Sequence, residues 1–185
     1  MLALNHGKPE LMTLRDVLTA FIEFRSEVIT RRTVYELGKA RDCAHVLVGL
    51  AISVANIDPV IELIRASKDP NEARNSLMYK PCPPADVAHL IALIDEPGRR
   101  VMDGVYQLSE TQVRAILDLR LQRLTGLERD KIAEELEGLA KQITEYLEIL
   151  ASPEKVRGIL RQELIEVREK FADERRTTIN DTEFE

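Results

Sequence analysis

Apolar residues recur at helical spacing along most of this chain. Between residue 14 and about residue 56, Leu14, Val17, Leu18, Phe21, Ile22, Val28 and Ile29 fall on one helical face, and neither a proline nor more than two glycines intervene. Thr13, followed three positions later by Asp16, supplies the N-cap. A helix of about 43 residues is roughly 64 Å long at 1.5 Å per residue, far beyond the mean of about 11–12 residues. It therefore bends, breaks near Gly38, or leans on a partner. A second run, residues 127 to 151, places Ile132, Leu136, Leu139, Ile143, Tyr146 and Leu150 at alternating spacings of four and three. Those are the a and d positions of a heptad, the seam of a coiled coil, with Glu134, Glu135, Lys141 and Glu145 on the wet side.

Between these runs the chain is punctuated. Asp58-Pro59 pairs a capping acid with a proline at the first helical position, Asp69-Pro70 repeats the device with Glu72 completing a capping box, and Ser109 with Gln112 starts ETQVRAILDLRLQRL. Thr125 with Glu128 opens the second long helix, and Ser152-Pro153 opens a last one whose face is Val156, Leu160, Leu164, Val167 and Phe171. Lys80-Pro81-Cys82-Pro83-Pro84 reads as a connector, since proline removes donors and restrains the preceding residue. ADVAHLIALI reads as a further short helix, followed by a loop to Leu108. The economical layout is an outgoing arm (13–56), a globular helical knob (57–125), an antiparallel return arm (126–151) and a C-terminal helix (152–172). Residues 1–12 look like a strand remnant, and 173–185 like either a frayed tail or a strand remnant.

Composition agrees with an all-α protein. Of 185 residues, 44% are hydrophobic but only 4% aromatic, with no Trp and eight each of Gly and Pro, which excludes collagen-like, Pro-rich and disordered classes and argues against many short strands. The net charge of −6 gives no reason for the whole surface to hold a phosphate backbone. The charge is uneven: residues 126–185 carry ten basic against sixteen acidic side chains, whereas residues 1–56 carry seven against six. No stretch approaches the length of a membrane span and no signal-like start is present. Two distant cysteines, Cys43 and Cys82, suit a reduced, soluble, cytoplasmic protein without a membrane partner.

Catalytic patterns are lacking. His6, His45 and His89 have no metal spacing with the cysteines, and no P-loop, G-x-G-x-x-G or H-E-x-x-H occurs. Cys43, amid apolar neighbours, is expected to be a buried, inert thiol, and Tyr35 and Tyr146 are expected to pack across the arm seam. The basic cluster Arg25, Arg31, Arg32, Lys39 and Arg41 has two readings: transient contact with a passing polyanion, or charge pairing with Glu23, Glu27, Glu36 and the acidic return arm.

Two stretches go beyond a generic helical pattern. ANIDPVIELIR (55–65) and YQLSETQVRAILDLRLQRLTGLE (106–128) resemble the coiled-coil and exit-gate region of the A subunit of bacterial type IIA DNA topoisomerases, the gyrase branch in particular. The opening ALNHGKPELMTLRDVLTAFIEFRSEVITRRTVYELGKARDCAHVL and residues 162–179 agree with the same family in the same order, while residues 68–105 match least. The resemblance implies a homodimerising exit gate through which a transported duplex leaves during ATP-dependent supercoiling. The nucleophilic tyrosine lies elsewhere, because none of Tyr35, Tyr79, Tyr106 or Tyr146 stands in the family's Arg-Tyr context. It implies no cofactor in this chain, with Mg and ATP handled by other segments and by the gyrase B subunit, the partner in a parent assembly of two A and two B subunits. The candidate dimer face is Asn56, Ile57, Pro59, Val60, Ile61, Leu63 and Ile64 together with Gln112, Ile116, Leu119, Leu121 and Leu124. Arg25, Arg31, Arg32 and Lys39 are candidates for transient DNA contact, and Arg120 for docking of a gyrase-poisoning toxin. The same region of topoisomerase IV is the alternative within the family; a stand-alone coiled-coil adaptor is the alternative outside it.

Overall fold

The computed structural model describes residues 1–84, 87–94, 101, 104–119 and 126–178, without the side chains of 126–128. In order these contain β1 (Leu2–Asn5), β2 (Lys8–Leu11), α1 (Leu14–Ala55), α2 (Ile57–Ala66), α3 (Pro70–Tyr79), β3 (Pro81–Cys82), α4 (Ala88–Ile94), β4 (Tyr106–Gln107), α5 (Glu110–Leu117), α6 (Gly126–Ala151) and α7 (Pro153–Phe171). The protein is all-α, with two minimal antiparallel ladders among the described residues. The chain divides into two compact units, the first comprising Met1–Arg32 and Ile149–Glu185, the second Thr33–Glu148. The division falls inside α1 and in the last turn of α6.

In the first unit, β1 and β2 form a hairpin with Asn5 opposite Lys8. Its two-residue turn, His6-Gly7, takes φ of 47° and 80°, the left-handed pair that suits the twist of a tight hairpin. The α1 cap is reciprocal: Asp16 N–H donates to Thr13 Oγ1 at 3.3 Å and Thr13 N–H to Asp16 Oδ2 at 2.9 Å. The Thr13 hydroxyl, donating to Asp16 Oδ2 at 2.6 Å, and after it the Thr13 N–H hold the Asp16 carboxyl below its ordinary range. Ile29 is fully buried against Val156 and Leu160, with Ile149 and Ile159 beside them. The apolar face of α1 is only partly covered. Leu14, Leu18, Phe21 and Ile22 are exposed, as are Val167 and Phe171 on α7. Residues 172–178 have no regular structure.

In the second unit, α1 runs through Gly38 without a break. Its inward stripe, Leu37, Ala40, Ala44 and Val48, continues into Ile52 and Val54. On α6 the seam residues Ile132, Leu136 and Ile143 are buried, while Leu139 and Tyr146 are half-buried. The chain turns by 90° between α1 and α2. The expected cap at Asp58 is not used: α2 begins at Ile57, with Asn56 at its N-cap making no side-chain cap bond. Asp69 caps α3, accepting from Asn71 N–H and Glu72 N–H at 2.8 and 2.9 Å, but Glu72 reaches back to Lys68 N–H rather than to the cap residue. Ser109 and Gln112 make the full capping box at α5, and Ser152 caps α7. The Thr125–Glu128 device lies outside the described residues. β3 and β4, unexpected in the connector and loop, pair Pro81 with Gln107 and Cys82 with Tyr106. Burial raises the pKa of the Cys82 thiol against the pull of Lys80.

Candidate dimer interface

The end of α1, the face of α2 and the end of α5 enclose an apolar groove of about 360 Å³. Ile57, Ile61 and Ile64 line it from α2, Ile116 and Leu119 from α5 and the turn after it, and Ser53 and Val54 from α1. Six of the sequence-expected contact residues, Val60 among them, are thus brought together. The mechanism of assembly is local: on α2, positions 57, 61 and 64 share a face at spacings of four and three, leaving Asp58 and Glu62 exposed on the other. Arg65 stands at the edge of the groove.

Not every candidate is open at this face. Val60 and Gln112 are 1% and 0% exposed inside the chain. Asn56 turns back on the end of α1, donating to the Ile52 carbonyl at 2.8 Å, and Pro59 is exposed, its carbonyl accepting from Lys80 Nζ at 2.8 Å. Leu63 is half-buried but does not line the groove. Arg120, Leu121 and Leu124 lie outside the described residues.

Beneath the groove is a buried polar cluster that the sequence pattern does not reveal. Gln112 Nε2 donates to the His45 carbonyl at 2.7 Å and lies 3.4 Å from His45 Nδ1. Its Oε1 accepts from Ser109 N–H at 2.9 Å and from Tyr106 OH at 3.3 Å. Ser109 Oγ accepts the Gln112 N–H at 3.2 Å and sits 2.6 Å from His45 Nε2. A serine and histidine at that distance have the spacing of a nucleophile and its base. Here, however, the hydroxyl is occupied in capping α5 and the pair is buried, so its role is to join α5 to α1. Gly49 makes the approach possible, since a Cβ there would lie 2.6 Å from Gln112 Cγ and 2.7 Å from its Cβ. The capping box was legible in sequence. The histidine and glycine, one helical turn apart on α1, carried no mark of it.

The basic cluster disperses. In the first unit, Arg25 and Arg32 both grip Glu163 of α7, at 2.5 and 2.6 Å, rather than the return arm, and Arg31 reaches Glu27 at 3.7 Å. In the second, Lys39 Nζ sits 5.7 Å from the Tyr35 ring centroid. Tyr35 is exposed rather than packed in a seam. Cys43 is likewise exposed, correcting the expectation of a buried thiol, and it lies on an open apolar groove between α1 and α6 with Val46, Leu47 and Leu139. Among the described residues no group of three or more His, Cys, Asp or Glu is placed to hold a metal ion, and no single helix is long and apolar enough to cross a membrane.

The Arg32 hydrogen bond leads the effects that lower the Glu163 pKa; Arg25 assists, and desolvation opposes them. A depressed folded pKa stabilises above the ordinary glutamate value, and that stabilisation is lost as pH falls through the folded value. Glu163→Gln is therefore expected to cost roughly 1 kcal/mol at pH 7, reduced by solvent screening, and less at pH 3. Urea unfolding of both proteins at the two pH values checks this; an equal gap at both would contradict it.

A family model for the A subunit of DNA gyrase and topoisomerase IV matches residues 1–165. The chain is 54% identical over 183 residues to the DNA gyrase A subunit of Granulibacter bethesdensis, covering 98% of the chain and 20% of that protein. It is 47% identical over 185 residues to the Rickettsia bellii protein of the same name, covering 100% and 20%. The Salmonella typhimurium protein of that name is 47% identical over 191 residues, covering 97% and 21%. The chain spans about a fifth of the length of these curated relatives.

Proposed function

Because the chain belongs to the family of DNA gyrase and topoisomerase IV A subunits, we propose that it forms the exit gate of a cytoplasmic, ATP-dependent DNA topoisomerase. In this reading two copies close the gate by apposing their α2/α5 grooves, and a transported duplex leaves when they part. Strand cleavage, Mg and ATP belong to other segments and to a partner of the gyrase B type. The observation that carries the reading is the groove itself: Ile57, Ile61, Ile64, Ile116 and Leu119 converge on one face. An apolar patch shared by two copies about a twofold axis is self-complementary, so it closes on itself.

The basic residues support a weaker part of the reading. Arg25 and Arg32 are held by Glu163, which leaves Arg31 and Lys39 as the better candidates for brushing a passing duplex. The Arg120 toxin site remains a proposal from family resemblance. The exposed apolar residues of the first unit, Leu14, Leu18, Phe21 and Ile22, are read as contacts for parts of the longer protein outside this chain, whose relatives are five times its length.

Sedimentation of the chain at tens of micromolar tests the gate. The reading requires a dimer of the 21.0 kDa chain; a monomer throughout that range contradicts it.

A further inference from the structure

The shape of the groove depends on where α5 sits. Helix α5 has eight residues and its outer side is exposed; α3 packs against it, with Arg74 reaching Glu110 at 3.2 Å, and its inner side is turned to α1. On that side α1 and α5 meet turn for turn. His45 meets Ser109 and Gln112, Gly49 meets Gln112, and Ser53 and Val54 face Ile116 across the groove. The contact between Gly49 and Gln112 is thus one helical turn from the groove wall on both helices. Gln112 is fully buried there and joined to His45, Ser109 and Tyr106, so both its distance and its rotation are fixed.

We propose that Gln112, seated on Gly49, is a positioning residue that sets the depth and shape of the dimer groove without touching the partner copy. The inference rests on the reading of the groove as the dimer face. Hydrogen bonds from both ends of one amide orient α5 as a rigid body, and the missing side chain at position 49 sets how closely it approaches. Ile116 follows Gln112 by one turn, so an outward shift of α5 at Gln112 displaces the Ile116 wall as well.

The test compares the dimer dissociation constant of the 185-residue chain, by sedimentation equilibrium, with its thermal unfolding followed by circular dichroism. Gly49→Ala is expected to weaken dimerisation at least tenfold at temperatures where the helical signal is unchanged. Gln112→Ala, which adds no clash, is expected to do the same and carries the test if the glycine variant does not fold. Ile29→Ala, a buried site in the first unit, is the control; it should lower the melting temperature and leave the dissociation constant within twofold. In a Gln112→Gly background, Gly49→Ala should have little further effect, because the atoms it strikes are gone. The proposal is overturned if Gly49→Ala or Gln112→Ala lowers the melting temperature with dimerisation unchanged, or if the paired substitutions are additive. A wild-type chain that never dimerises would instead overturn the reading of the groove, and this inference with it.

Discussion

Ile61→Asp is expected to raise the dimer dissociation constant at least a thousandfold while leaving the helical content of the monomer intact. Ile61 is half-buried on the face of α2 that lines the groove. In the separate chain a carboxylate at that position can reach water, so folding loses one partly covered aliphatic side chain and little else. In the closed gate the same carboxylate would be enclosed by Ile57, Ile64, Ile116 and Leu119 and their twofold copies. Burying an unpaired charge costs several kcal/mol even after relaxation, and about 4 kcal/mol is a thousandfold in affinity. Glu62→Ala, one residue along and facing solvent, provides the comparison and should leave the constant unchanged. Sedimentation equilibrium of the three proteins reads the result. A dimer as tight in Ile61→Asp as in the wild type would remove α2 from the interface.

The second large effect concerns the first unit. Ile29→Ala is expected to destabilise that unit by about 3 kcal/mol, within the usual range for deleting a buried isoleucine side chain. Ile29 is fully buried and packs on Val156 and Leu160, the buried pair on α7. Truncation removes contacts from both helices, and the cluster is too small to collapse around the gap. Leu18→Ala, on the same long helix but 55% exposed, should change stability by under about 0.5 kcal/mol. Urea unfolding monitored by circular dichroism distinguishes the two. Equal effects would mean that Leu18 is covered and that the first unit is packed differently.

The helices were legible because their ends carry local chemistry. Thr13 with Asp16, Asp69, Ser109 with Gln112, and Ser152 are caps in the sequence and caps in the structure. Asp58-Pro59 misled because a proline is tolerated throughout the first helical turn, where its absent N–H is one of four that lack intrahelical partners. In α2 it occupies the third position, and Asp58 is a first-turn acid instead of a cap. Burial was harder to read than helicity. Periodicity identifies Leu14, Leu18, Phe21 and Ile22 as sharing a face, but not whether this chain supplies the cover. Cys43 shows the same limit at one-residue scale. Its apolar neighbours surround it in sequence, yet the inward stripe passes through Ala40 and Ala44 and leaves the thiol outside.

The interface was partly legible and its support was not. Ile57, Ile61 and Ile64 follow helical spacing on α2, so a common face was readable. That Val60 lies between them in sequence and inside the chain in space required the fold. The Gly49–Gln112 approach joins residues far apart in sequence, and its only local trace is a glycine in the middle of a long helix. Glycine there costs helix stability of about 1 kcal/mol relative to alanine, which is offset when another helix needs the space.

The gate depends on where two copies of the chain meet. Amide hydrogen exchange, measured by mass spectrometry at concentrations well above and well below the dimer dissociation constant, locates that contact directly. Association should slow exchange in peptides covering Ile57–Ala66 and Glu110–Leu117 and leave Leu14 to Phe24 of α1 unchanged. Protection confined to the exposed apolar face of the first unit, with α2 and α5 exchanging alike at both concentrations, would contradict a gate closed by the α2/α5 groove.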